Sequence, residues 1–477
     1  METAKEHLQL IDTRTEVGLQ EKTFLVHGTG KVPISAAYAS KYSLFFRYLE
    51  KHPLRDPDEP VNLLIRNNGQ SVELGPCRIL PGPKANGYSG RLVFLRDVYD
   101  FRSLLQDSKV VKLQSAFNDL PLILERKAKI RPVFKRYVAD LKYDLQVYKS
   151  LFDDLDAEYG DEPEEVKNAV QEAILETEGP KYFQFFEHKL EELESLVENF
   201  SQEEHQCHGF YFRKQLWNFI LCCPFGAQSA LKPRGYAGDS ELMRMIYLNG
   251  YQGDSTFAKL MHKHAVGVTA AQSVRNRIDL IAQKITHSQK KCRIFGSDKF
   301  KVLSVGCGPA FELQNIIKSS QDCAVFQFAL FDQDTAALSE ASEVVRDIKK
   351  RLRTAPKVDF IQGSVRTMIF SRQLKQKWGQ FHFIYSMGLF DYLSFRVAKA
   401  VLDRLYQLLQ PGGELLIGNF HVSNPSKYYM AYWVDWVLLH RTEEEFRSLL
   451  DSISPAEISL LYDDTGSQMF LHVKKPN

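Results

Sequence analysis

The stretch KVLSVGCGPAFE, Lys301 to Glu312, ends a short apolar run in Gly306-Cys307-Gly308. Glycines two residues apart let the chain turn sharply and bring bare backbone against a ligand, which is the chemistry of a nucleotide-type cofactor site and of no particular reaction. The next apolar run, ALFDQD, closes on Asp332, 24 residues after Gly308, where a carboxylate can accept hydrogen bonds from ribose hydroxyls. A dinucleotide fold needs a third glycine three residues past the second, and Phe311 stands there; no Gly-Lys-Ser/Thr follows the turn, which excludes a P-loop. A cofactor with a ribose and no pyrophosphate fits, and S-adenosylmethionine is the candidate. Gly363, Ser364 and Val365 in VDFIQGSV, and Met387 in YSMGLFDYL, follow the third and fourth apolar runs and join Gly306, Cys307, Gly308 and Asp332 as candidate cofactor-binding residues.

The elements that would position these residues read as alternating strands and helices. Strands are expected at Val302 to Val305, Val325 to Phe331, Val358 to Ile361, Phe381 to Tyr385 and Glu414 to Ile417, with a helix from Arg396 to Leu409. Alternation of this kind predicts a mostly parallel sheet with helices on both faces, its ligand lying beyond the carboxyl ends of the strands. The last stretch, EISLLYDDTGSQMFLHVKK, reads as two strands joined by a turn at Gly466, an antiparallel edge.

Upstream, the texture differs. Between about residues 20 and 105, short runs such as KTFLVHG, YSLFFRYL and GRLVFLRDV alternate with turn formers such as HPLRDPDEP and PGPKANGYSG, which suggests a small β-barrel. From about Val110 to Gln228, apolar residues recur three and four apart between charges, the pattern of amphipathic helices.

Composition bounds the whole. With 477 residues and 44% hydrophobic content the chain can build two or three ordinary cores. Sixty-one basic and 59 acidic residues cancel to +2, which gives no global electrostatic footprint for nucleic acid. METAKEHLQLIDTRTEV lacks the apolar core of a secretory signal, and no apolar run approaches the roughly 18 residues of a membrane span, so a cytoplasmic protein is expected. Seven cysteines without a CxxC pair read as free thiols, and His262 and His264, two apart, are poorly spaced for a helical metal site; no metal is expected.

The strings LSVGCGPAFEL, FDQDTAAL, GLFDYL and GNFHVSNPSKYYM, with LKPRGYAGDSELMRMIY and AAQSVRNRIDL upstream, resemble a bacterial family of S-adenosylmethionine-dependent class I methyltransferases. That family includes the enzyme making 3-hydroxypalmitic acid methyl ester, a quorum-sensing signal. The resemblance runs from about Phe210 to the C-terminus, and in many relatives a PilZ-like barrel precedes the enzyme. It implies a Rossmann-like α/β fold with a mostly parallel sheet and an antiparallel C-terminal strand, in three parts: a PilZ-like barrel at 1–110, a helical linker or bundle at 111–205, and the methyltransferase at 206–477 with an N-terminal helical lid. It further implies backbone approach at Gly306 and Gly308, a ribose contact at Asp332, and an adenine border at Ser364 and Val365. Ser304 stands where an acidic residue often faces the methionine part, which leaves Glu312 or a residue of GYAGD to hold the amine. The barrel departs from cyclic di-GMP readers, with no RxxxR arm in the first hundred residues and with the serine and glycine of NNGQSVELGPC misplaced.

By the same resemblance the function is O-methylation of a fatty or hydroxy-fatty acid carboxylate. The alternatives are methylation of another small molecule or of a protein side chain, or a signalling adaptor without turnover. A carboxylate acceptor is already ionised at neutral pH and needs no base; an alcohol or amine would need one, from Asp391, His421 or Asp239. Asp391 and Tyr392 after the fourth strand, and His421 after the fifth, are the catalytic candidates, against helix-end and structural roles. Tyr236, Asp239 and Arg275 are the candidates for touching the acceptor, with an N-cap as the alternative for Asp239. Arg275 and Arg277 lie two apart on a helix, so at most one points inward. The aromatic run KYYMAYWVDWVLLH reads as core or as the lining of an acyl channel. Expected partners are a small acyl molecule, with no nucleic acid and no integral membrane span, and a second copy or a partner protein through the barrel.

Overall fold

The computed structural model describes residues 9–10, 23–27, 30–40, 43–49, 60–67, 70–81, 89–95, 127–294, 299–371 and 373–477. The expectations for residues 1–17, for the turns at 51–59 and 82–88 and for a boundary near residue 110 lie wholly or largely outside them. The chain divides into two compact units, residues 1–121 with 363–372, and residues 122–362 with 373–477.

In the first unit, apolar residues at every second position face one way, as the pleat of a strand requires. Leu44 and Phe46, Leu63 and Ile65, and Leu92 and Phe94 are such pairs, all buried. The strands are β1 (Gln9–Leu10), β2 (Thr23–His27), β3 (Gly30–Ser40), β4 (Ser43–Tyr48), β5 (Val61–Asn67), β6 (Gln70–Pro81) and β7 (Gly90–Phe94). They pair antiparallel in the order β3-β2-β5-β6-β7-β4, and β4 pairs back onto β3 to close a six-stranded barrel, with β1 added on β3. Closure removes the exposed strand edges that an open sheet would present. The short helix Val365–Phe370 belongs to this unit.

The second unit begins with helices: α1 (Pro132–Glu158), α2 (Glu164–Val197), α3 (Gln202–Gln215), α4 (Pro224–Leu231), α5 (Ser240–Leu248), α6 (Thr256–Gly267) and α7 (Thr269–Ile294). Chemistry at their ends sets several boundaries. Pro132 and Pro224 open α1 and α4, where a missing N–H costs nothing, and Ser201 with Glu204 forms a capping box on α3.

The sheet follows: β8 (Phe300–Val305), β9 (Phe326–Asp332), α8 (Thr335–Leu352), β10 (Lys357–Gln362), β11 (Phe381–Ser386), α9 (Phe395–Leu408), β12 (Leu409–Phe420), α10 (Lys427–Tyr432), β13 (Glu457–Tyr462) and β14 (Gln468–Lys474). Its order is β10-β9-β8-β11-β12-β14-β13, with β14 antiparallel to both neighbours and the other contacts parallel. The inner strands are covered on both faces, which is why they read as unbroken apolar runs and not as alternation. The fifth strand starts five residues earlier than its apolar run, because Leu409 already pairs with Phe381 and a bulge then absorbs Pro411-Gly412-Gly413. The final hairpin turns through Gly466 at φ +70°, as its sequence anticipates.

The helices α1 to α7 share one core with the connection after β12, including Tyr429, Tyr432, Trp433 and Trp436. These aromatic side chains of the run are therefore core, while Val437 and Leu439 near its end are exposed. Phe134 in α1 is fully buried and lies within 4.9 to 6.4 Å, ring to ring, of Tyr137, Phe200, His208, Phe212 and Tyr432. Phe134→Ala is expected to cost about 3–5 kcal/mol, read as a lowered unfolding temperature by calorimetry.

Candidate active site

Strand order reverses between β8 and β11, and the crevice between their carboxyl ends is the natural ligand position of such a sheet. The glycine turn leaves β8 there. The amides of Gly306 and Cys307 both donate to the Phe331 carbonyl, at 2.9 and 3.1 Å, which ties the turn to the end of β9. Gly306 and Gly308 are left-handed, at φ +67° and +53°, a conformation glycine adopts without strain. Nothing lies within 4 Å of where a Cβ on Gly308 would stand, so its backbone borders open space.

Asp332 accepts from the Gly308 amide at 2.9 Å and from the Asp334 amide at 3.0 Å. Burial pushes its pKa up, and those two amides offset part of that rise. Gly306, Gly308 and Asp332 thus converge, and an acceptor carboxyl beside bare backbone suits a ribose diol. Cys307 turns inward, buried, its thiol held high by burial and by the nearby Asp332 and Glu312 carboxylates. Gly363, Ser364 and Val365 come directly after β10, in the segment grouped with the barrel unit. There the Ser364 hydroxyl accepts from the Thr367 amide at 3.2 Å and caps the short helix Val365–Phe370.

Beyond β11, the loop GLFDYL is held from every side. The Met387 carbonyl receives Gln468 Nε2 at 3.0 Å and Arg277 Nη1 at 3.4 Å. Buried Arg441 donates to the carbonyls of Phe390 and Leu393 and to Asn419 Oδ1. Asp391 Oδ1 accepts from the Phe420 amide at 2.7 Å, and the Asp391 carbonyl from the Leu439 amide at 2.8 Å. Tyr392 donates to the Ala237 carbonyl at 2.9 Å and accepts from Trp436 Nε1 at 2.7 Å, yet keeps 41% of its surface open. His421, at the end of β12, is half-buried and shares a hydrogen with Ser423 Oγ at 2.7 Å. Asp391 and His421 therefore stand on either side of Phe420, with Asp391 bonded to backbone and His421 to a serine.

The segment KPRGYAGD runs between α4 and α5 and is tied to the loops after β9, β11 and β12. Lys232 pairs with Asp435 at 2.6 Å, Arg234 with Glu340 at 2.7 Å and Asp334 at 3.4 Å, and Tyr236 donates to Asp334 at 3.2 Å. Asp239 caps α5 by accepting from the Leu242 amide at 2.9 Å and also accepts from Gln228 at 2.7 Å. Of the two arginines on α7, Arg275 bonds the Ile246 and Val266 carbonyls at 3.1 and 2.5 Å, closing the ends of α5 and α6. The inward one is Arg277, which the two-residue spacing could not single out. Arg441 also enters the site region with no motif to mark it, while Glu312, Tyr385 and Trp436 lie within the strings LSVGCGPAFEL, YSMGLFDYL and KYYMAYWVDWVLLH.

A sheet in this order, with one antiparallel strand, a glycine turn after the first strand and an acid closing the second, is the class I methyltransferase fold. Residues 302–413 match the model of a family described as a methyltransferase domain. Comparison with curated proteins gives no match. Among solved structures, the chain is similar to a protein of Bordetella parapertussis described as a possible exported protein, 16% identical, over 56% of this chain and 88% of that one, with a TM-score of 0.40. It is similar to magnesium protoporphyrin IX methyltransferase of Synechocystis PCC 6803 at 11% identity, 43% and 84% coverage and TM-score 0.31. It is also similar to the N-methyltransferase NodS of Bradyrhizobium japonicum WM9, at 12% identity, 42% and 98% coverage and TM-score 0.29. No helix among the described residues is long and apolar enough to cross a membrane.

Two outcomes follow from this geometry. Gly238 sits at φ +76°, and a Cβ there would stand 2.4 Å from the Tyr392 hydroxyl oxygen and 2.7 Å from the Trp436 ring. Gly238→Ala is expected to cost about 1–3 kcal/mol and to lower the unfolding temperature. Burial pushes Asp391 up to about 7 against an ordinary 3.8. A carboxyl raised on folding contributes stability below its unfolded pKa that is lost as pH rises through the folded one. Asp391→Asn, which keeps an acceptor for Phe420, should therefore flatten the fall of unfolding temperature between about pH 4 and 7, read by scanning fluorimetry.

Proposed function

We propose that this methyltransferase esterifies the carboxylate of a fatty or hydroxy-fatty acid. The observation that carries the reading is a set of exposed apolar side chains on the segments bordering the loop after β11: Tyr392, Phe395, Val422, Val437 and Leu439. These segments are joined to one another by the bonds from Leu439 to Asp391, from Trp436 to Tyr392 and from Val422 to Arg441. Exposed apolar surface at a site mouth suits an acyl chain better than a peptide or a charged metabolite. The family resemblance points to the same acceptor, and to a product of the quorum-signal kind.

When bound, S-adenosylmethionine supplies a methyl group on a positively charged sulfur, ready for in-line displacement. The task of the protein is then to align an oxygen behind that methyl and to keep water out. Asp332 is proposed to hold the ribose hydroxyls, with Gly306 and Gly308 giving backbone approach. Tyr392, pinned by its hydroxyl and open on its remaining surface, is proposed to position the acceptor. A carboxylate acceptor brings its own negative charge, so neither Asp391 nor His421 has to remove a proton. The acceptor oxygen forms a bond to the methyl carbon while the carbon–sulfur electron pair leaves with sulfur.

The test incubates the purified protein with methyl-labelled S-adenosylmethionine and a panel of free fatty and hydroxy-fatty acids. Label is expected in the organic extract as a methyl ester, falling to background in Asp332→Ala. Absence of label in a preparation that binds the cofactor would overturn the acceptor.

A further inference from the structure

Cys222 and Cys223 are consecutive, and no other two of the seven cysteines are neighbours in the sequence. The backbone bends between them, with Cys222 in the right-handed helical region at φ −68° and ψ −21° and Cys223 extended at φ −118° and ψ 151°. Consecutive side chains of a regular strand point to opposite faces. This bend instead leaves the two thiols within hydrogen-bonding reach of each other. Both are free thiols; Cys223 is 3% exposed, while Cys222 is half-buried and opens the pair toward solvent. Cys222 Sγ also donates to the Phe219 carbonyl at 3.0 Å.

Cys223 caps a helix. Its sulfur accepts from the Gly226 amide at 3.4 Å at the start of α4, a position where serine, threonine, aspartate or asparagine is the usual residue. The Cys222 thiol and the amides of Gly226 and Phe225 hold the Cys223 thiol below its ordinary pKa against the opposing effect of burial, which favours the thiolate. Burial acts alone or foremost elsewhere: it pushes Cys77 up to about 12 and raises Cys292, Cys307 and Cys323.

The helix resting on this cap leads directly into KPRGYAGD. Gln228 in α4 donates to Asp239 at 2.7 Å, and Lys232, just past the end of α4, pairs with Asp435 at 2.6 Å. Tyr236 donates to Asp334 at 3.2 Å, and the Asp334 amide donates to Asp332 at 3.0 Å. A change at the start of α4 therefore has a bonded route to the acid that closes β9.

We infer that Cys222 and Cys223 are an oxidation site, closed by a hydroperoxide to a disulfide between neighbours that takes the cap from α4. The Cys223 thiolate attacks one peroxide oxygen and the O–O bond breaks, leaving a sulfenic acid and, after protonation of the departing oxygen, water or an alcohol. The Cys222 sulfur then attacks the Cys223 sulfur, the S–O bond breaks, and the hydroxyl departs as water with the Cys222 proton. Two thiols are oxidised and one peroxide is reduced. Adjacent Cα atoms stand about 3.8 Å apart across a trans peptide, closer than a disulfide ordinarily spans, so the bond is strained and readily reduced, which makes the modification reversible.

The test treats the full chain with hydrogen peroxide, alkylates the remaining thiols and maps them by mass spectrometry. The peptide holding Cys222 and Cys223 is expected to lose two hydrogens at peroxide concentrations that leave Cys292 alkylatable, and to regain them with dithiothreitol. Cys222→Ser should stop at a sulfenic acid on Cys223, trapped by dimedone. Calorimetric titration of S-adenosylhomocysteine is expected to show about fivefold weaker binding to the oxidised parent, the scale of a lost helix cap, with recovery on reduction. Cys223→Ser keeps an oxygen to cap α4 and should bind equally before and after peroxide. A pair still alkylatable after Cys292 has reacted, or a disulfide formed between two chains, would overturn the site. A disulfide within the pair that leaves S-adenosylhomocysteine binding unchanged would overturn the release of α4. The thiol map is read whether or not the parent binds that ligand.

Discussion

The hydrogen bond from the Gly308 amide to the Asp332 carboxylate, 2.9 Å long, joins the ends of the first two parallel strands of the sheet. Without it, a buried carboxylate would meet the crevice with fewer partners, and a turn of two left-handed glycines would have one tie fewer to β9. The same constraint recurs around the crevice. Buried backbone groups there that sheet pairing leaves over need partners of their own. Arg441, Gln468, Asp391 and Tyr392 supply partners to the loop after β11, and Asp334 and Glu340 hold the segment before α5.

This satisfaction of polar groups shows which side chains hold the loops around the crevice together. Asp391, Asp239 and Arg275 all have chemistry that a sequence reader assigns to catalysis or binding, and each is occupied by backbone or by a neighbouring amide. Arg277 and Glu312 differ in what surrounds them. Their charges are buried, and the bonds they make are few or long.

Rigidity at the crevice has a physical use in methyl transfer, which depends on holding two reactants in line more than on proton movement. Tyr392 illustrates it. Two hydrogen bonds fix its hydroxyl, and the glycine at 238 lets the chain pass close beneath it. The segment containing Gly238 connects three loops of the sheet through side-chain bonds, coupling the helices before the sheet to the loops beyond it.

The sequence by itself determined the alternation of strands and helices, the glycine turn, the acid that closes the second strand and the final hairpin, because each rests on neighbours within a few residues or on an apolar period. A small barrel was legible from short β-type runs between turn formers, and its closure by six strands came from the structure. Tertiary structure alone decided which of Arg275 and Arg277 turns inward, that Asp239 caps a helix, and that Tyr385 presents Glu312 at the end of β8. It also decided that the aromatic residues after β12 fill the core of the helices that precede the sheet. Those outcomes turn on contacts between residues far apart in the chain, and a helix or strand period says which face a side chain takes but not what stands opposite it.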